Sequence, residues 1–117
     1  MSKKLKGGAA GSAFGPGFVY VMRDGNQIKI GCSFDPEERL KRIRRDNNRP
    51  NITLIHKVKA NEMNTAETAA QKAVQNYLAM KKIARNATDW FNIPADVDID
   101  TIVKTVIEAV EIHNRNH

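Results

Sequence analysis

At 117 residues the chain can bury one hydrophobic core but not two domains of ordinary size. Nineteen Lys and Arg against 13 Asp and Glu give a net charge of +6, which favours polyanionic partners without proving a site. A lone cysteine, Cys32, forbids an internal disulfide and fits a reducing cytoplasm; no apolar run could span a membrane and no signal-peptide core is visible.

Residues 1 to 17 are small, glycine-rich and basic, and read as an arm. The arm is either a disordered terminus or a grip on phosphate charge through Lys3, Lys4 and Lys6. Two apolar runs then flank Asp24-Gly25, a strong signal for a tight hairpin turn. Counting outward from that turn sets Tyr20 opposite Lys29 and Phe18 opposite Gly31. Val19, Val21, Ile28 and Ile30 share an aliphatic core face. The other face puts a phenol beside an amine, with a bare backbone position close by.

A helix follows at once. Asp35-Pro36-Glu37-Glu38 carries an N-cap acid, a proline at the first helical position and an acid three residues after the cap. Pro36, Leu40 and Ile43 form its buried stripe. Arg39 borders that stripe within reach of Tyr20 and Lys29, while Lys41, Arg42, Arg44 and Arg45 lie around the outside and Arg49 just beyond the helix, as phosphate contacts or as a solvated basic face. Residues 46 to 51 read as a loop, and 52 to 59 as a third strand. His56 on that strand is a packing or surface residue, or a contributor to a phosphate site.

Residues 65 to 83 form a second helix with Ala66, Ala70, Ala73, Val74, Tyr77 and Leu78 on its apolar face. Glu67 falls within that face, where an acid is costly without a partner. It is either a site residue or the N3 member of a capping box with Asn64. Residues 88 to 94 read as a short extended segment in which Trp90 and Phe91 anchor the core, with base stacking by Trp90 as the sharper alternative. Asp98 or Asp100 caps a last helix with Ile99, Val103, Val106, Ile107 and Val110 along one side. Residues 114 to 117 are a tail.

This ordered set resembles the GIY-YIG nuclease superfamily. Phe18-Val19-Tyr20 falls where that family carries Gly-Ile-Tyr, and Lys29-Ile30-Gly31 where it carries Tyr-Ile-Gly. Arg39, eight residues after Gly31, matches its helical arginine. The short phage and bacterial members whose second motif reads Lys-Ile-Gly are the most similar. Asp35-Pro36-Glu37-Glu38-Arg39-Leu40 and Asp89-Trp90-Phe91 extend the match, which covers residues 17 to 95. The resemblance implies a divalent-metal-dependent endonuclease or nickase, with Glu67 binding the metal, Mg2+ or Mn2+. It departs from the family at Phe18 and Lys29, and for the family's late asparagine only Asn92 is a candidate.

The residue chemistry suits phosphodiester hydrolysis. Arg39 offers a planar fork for two phosphate oxygens. Tyr20, its pKa lowered by Lys29 across the hairpin, or a deprotonated Lys29, would serve as base. Gly31 would let a phosphate or a water approach the backbone. The expected architecture is α/β of the α+β kind: a three-stranded, mainly antiparallel sheet flanked by three helices, with one domain over residues 18 to 113. The expected partner is nucleic acid, DNA in preference to RNA, with the protein a monomer or homodimer. The alternative is a catalytically inactive nucleic-acid-binding module of the same fold.

Overall fold

The computed structural model describes residues 15–80 and 90–117. β1 (Gly17–Asp24) and β2 (Gln27–Ser33) pair antiparallel around a turn at Gly25-Asn26. Gly25 has φ +62°, which glycine adopts without strain and which a two-residue hairpin turn requires at its first central position. The turn therefore sits one residue later than the sequence suggests, and every cross-strand partner moves by two. A shift of two keeps each side chain on its face. It nonetheless sets Tyr20 opposite Gly31 and Lys29 opposite Met22.

Among the described residues the sheet has four strands, in the order β3-β1-β2-β4, rather than three. β3 (Thr53–Ala60) lies antiparallel to β1, and β4 (Trp90–Asn92) pairs with Gln27–Lys29 of β2. Three residues are too few to show a strand period. Adjacent Trp90 and Phe91 also break apolar-polar alternation because each is buried on a different face. A register shift opposite Val21/Met22 re-aims β3. Ile52 and Leu54 pack on one face of the sheet, while Ile55, Val58 and Ala60 pack on the other. His56 is half-buried opposite Val21.

Among the described residues three helices flank the sheet: α1 (Pro36–Asp46), α2 (Met63–Met80) and α3 (Ile99–Asn116). α1 starts as expected, with the Glu38 N–H donating to the Asp35 carboxylate at 3.2 Å. α3 is capped by Asp98, whose side chain accepts from the Asp100 N–H. It continues through the expected tail, because Asn114 hydrogen-bonds to Asn61 and Lys59 at the end of β3. Residues 15–17, expected in the arm, are docked: Met63 N–H donates to the Gly15 carbonyl at 2.9 Å, and Gly17 pairs with Ala60. The rest of the arm, residues 1–14, lies outside the described residues, as do Asp89 and the basic segment 81–86.

One face of the sheet carries Val19, Val21, Ile28 and Ile30 under α2 and α3. Ala66 and Ala70 bring α2 close, and Val74, Leu78, Ile102, Val106 and Val110 complete this larger core. Val103 and Ile107 are only half-buried, so the buried stripe of α3 centres on Ile102 instead. The opposite face holds a smaller core of Tyr20, Met22, Ile43, Ile52 and Trp90, covered by α1. No described helix is long and apolar enough to cross a membrane.

Candidate functional site

The hairpin, the start of α1 and the first turns of α2 meet at one end of the sheet around a cleft of about 1040 Å³. Seven of the residues expected at a site line it: Tyr20, Lys29, Gly31, Arg39, Arg42, Arg49 and Glu67. Tyr20 and Gly31 face each other across the hairpin, and a Cβ at Gly31 would collide with the phenol. The bare backbone position is thus filled by the Tyr20 ring rather than left for a ligand. With that ring over the strand, Tyr20 is only 1% exposed.

Electrostatics at Tyr20 differ from the expectation in both partner and direction. Burial pushes its pKa above the ordinary phenol value of 10.0; the Arg39 guanidinium, hydrogen-bonded to the phenol, opposes this without overcoming it. The cation at the phenol is Arg39, one turn into a capped helix, and Lys29 sits two pairs further along the hairpin. At neutral pH Tyr20 is therefore a neutral hydroxyl.

Glu67 reaches the cleft from α2. Its Oε1 accepts from the Cys32 thiol at 3.2 Å, and its Oε2 accepts from the Gln71 amide at 3.2 Å. The same Gln71 amide donates to the Ile30 carbonyl at 2.9 Å, tying the carboxylate to β2. α2 begins at Met63, so Asn64 lies inside the helix and the capping-box reading of Glu67 falls away. Beside that carboxylate the half-buried Cys32 thiol is pushed up to about 12, first by burial and then by the neighbouring charge. Cys32 is a hydrogen-bond donor here, not a thiolate nucleophile.

Glu67 is the one carboxylate among the described lining residues. No cluster of three His, Cys, Asp or Glu side chains able to hold a metal occurs among the described residues. Such a set does not fit zinc or a caged calcium. It fits an ion that keeps most of its water, as magnesium does, with each Glu67 oxygen retaining acceptor capacity beyond its single donor.

Lys41, Arg44, Arg45 and Asn92 do not line the cleft. Arg44 donates to the Ile52 carbonyl at 2.8 Å, Arg45 pairs with Asp46 at 3.2 Å, and Asn92 accepts from Gln27 at 2.9 Å. Arg49 does line it: its guanidinium lies 4.4 Å over the Trp90 ring and donates to Gln27 at 3.1 Å. Trp90, 9% exposed, is the core anchor expected and a platform for that arginine. The sequence reading missed Cys32 and Gln71 as partners of Glu67. Gln71 stands four residues after Glu67, the spacing that makes neighbours on a helix, and was legible on that ground. Cys32 shares strand parity with the aliphatic face and reads as packing.

Fold and cleft together define a small α+β domain in which one carboxylate is set among Lys29, Arg39, Arg42 and Arg49. The chain belongs to the T5orf172 domain family, whose model matches residues 17–112; this domain occurs in phage and bacterial proteins with nuclease-like associations. No curated protein and no solved structure matches the chain.

Proposed function

We propose that this domain is a divalent-metal-dependent endonuclease or nickase of GIY-YIG type, acting on nucleic acid and on DNA in preference to RNA. One observation carries the reading: Tyr20, Arg39 and Glu67, distant in sequence, share one cleft whose other charged lining groups, among the described residues, are cations. The family's nuclease-like associations point the same way.

In this reading Arg39 holds two non-bridging oxygens of the scissile phosphate and offsets the charge that grows on them. Tyr20 stays protonated and fixes the guanidinium from beneath; it is not the base. Lys29 and Arg42 add positive charge along the cleft, and Glu67, steadied by Cys32 and Gln71, holds the ion. A bound Mg2+ or Mn2+ would supply an acidified water and further charge compensation. One observation favours a second reading, a binding module without catalysis: the buried phenol, held protonated, cannot act as a phenolate at neutral pH.

Labelled single- and double-stranded DNA and RNA, incubated with Mg2+, Mn2+ or chelator, separate the two. The nuclease cuts only with metal, and Glu67→Gln lowers the rate roughly a hundred- to thousand-fold with little change in melting temperature. Arg39→Lys is nearly as slow as Arg39→Ala, since an ammonium lacks the fork. Binding that persists in chelator, with no cleavage under any metal, leaves the module reading in place.

A further inference from the structure

Phe34 is 54% exposed, yet it lines the cleft that holds Tyr20, Arg39 and Glu67. It links β2 to α1, and both of its neighbours are tied down. Asp35 N–H donates to the Ser33 hydroxyl at 3.0 Å, and the Asp35 side chain and carbonyl accept from Glu38 and Arg39 at the start of α1. The phenyl group is thus held out on a fixed backbone. An apolar residue just before an N-cap often packs on the fourth helical residue as a hydrophobic staple. Here that residue is Arg39, which is itself exposed, so the staple has no apolar half. Trp90, Phe91 and Tyr20, by contrast, are all buried in the two cores.

We infer that Phe34 is a stacking platform for an unpaired nucleobase beside the scissile phosphate. The inference rests on the nucleic-acid reading above and narrows it to strands with an exposed base at that position: single strands, loops, or a base turned out of a duplex. Charge complementarity supports it. Arg39 and Arg42 share the cleft with the ring and would hold the phosphates on either side of the stacked base. A base face has no sequence code, so the platform selects for strand state and not for sequence.

Binding of a short labelled single strand in chelator, where nothing is cut, tests this. Phe34→Ala should weaken binding roughly 5- to 100-fold, Phe34→Trp should bind as wild type, and Phe34→Leu should behave as the alanine variant. An abasic site at one position should weaken wild type by the same factor and leave Phe34→Ala unchanged. Fully paired duplex should show little dependence on residue 34. Phe34→Ala binding as wild type, or Phe34→Leu restoring full affinity, would overturn the platform while leaving the nuclease reading intact. So would a Phe34→Ala variant that loses only self-association by light scattering, which would make a second copy the occupant. A wild-type chain that binds no nucleic acid at all would sink the nuclease reading first, and this inference with it.

Discussion

The two faces of the sheet are built to different rules. Under α2 and α3 the surface is aliphatic apart from Phe91, and side chains from four strands and two helices interlock there. Under α1 the core is smaller, and its buried members include a phenol and an indole, each touching an arginine. A single helix of 11 residues cannot cover that face, so it thins toward one end into the cleft. The larger core needs only volume and apolarity, whereas the smaller one must also seat Arg39 and Arg49. Stability is concentrated on the first face and the cations of the candidate site on the second, while Glu67 reaches the cleft from α2 on the first.

Adjacent residues of β4 give the strongest way to break that division. Phe91 belongs to the larger core and Trp90 to the smaller. Phe91→Ala should lose about 3–5 kcal/mol of stability by denaturant titration, while the fraction that stays folded keeps normal nucleic-acid binding. Trp90→Ala should be destabilised comparably and also bind more weakly, because Arg49 loses the ring it lies over. Equal binding by the two folded variants would mean that the second face is ordinary core.

The first face was legible in its hairpin and in α2, where burial of aliphatic side chains follows period and parity, but the stripe of α3 turned out to centre on Ile102. Even a turn misplaced by one residue left Val19, Val21, Ile28 and Ile30 together. The second face was legible only in outline. Tyr20, Arg39 and Glu67 were singled out, as a phenol in a strand, a cation beside an apolar stripe and an acid inside one, and they line one cleft. Their pairing was not found. Moving the turn by one residue exchanges Lys29 for Gly31 opposite Tyr20, and with it the expected direction of the phenol's pKa. Arg49 was legible as a phosphate contact but not as the partner of Trp90, because it sits in a loop, where no periodicity marks which way a side chain points. The fourth strand is too short to carry any.

Both faces should respond to pH. Tyr20 in the smaller core and Cys32, which packs against the larger one beside the cleft, both have raised pKa values, Cys32 from an ordinary 9.0 to about 12. Each acid holds its proton more tightly folded than unfolded, so above the unfolded value the unfolded chain binds fewer protons. Stability is therefore full below about pH 9 and falls as pH rises from there toward 12. Melting temperatures across that window should decline in wild type and more shallowly in Cys32→Ala. A parallel decline in both proteins would remove the thiol from the balance.

The smallest expected effect concerns the two sides of α1, the helix that closes the second face. Arg42 lies three residues after Arg39, on the same side, and lines the cleft. Arg44 is already engaged with the Ile52 carbonyl, and Arg45, 71% exposed at its side chain, with Asp46. If nucleic acid lies in the cleft, Arg42→Ala should lower the slope of log affinity against log salt by about 0.7 for single strands and about 0.9 for duplex. The Arg44→Ala, Arg45→Ala double variant should leave that slope unchanged. It should instead lose about 1 kcal/mol of stability, because the hydrogen bond that fastens α1 to the start of β3 is gone. The reverse outcome, a slope that drops in the double variant and holds in Arg42→Ala, would move the phosphate track to the outer side of α1. The cleft would then be a cavity beside the binding surface, and the contrast between the two faces would no longer separate stability from function.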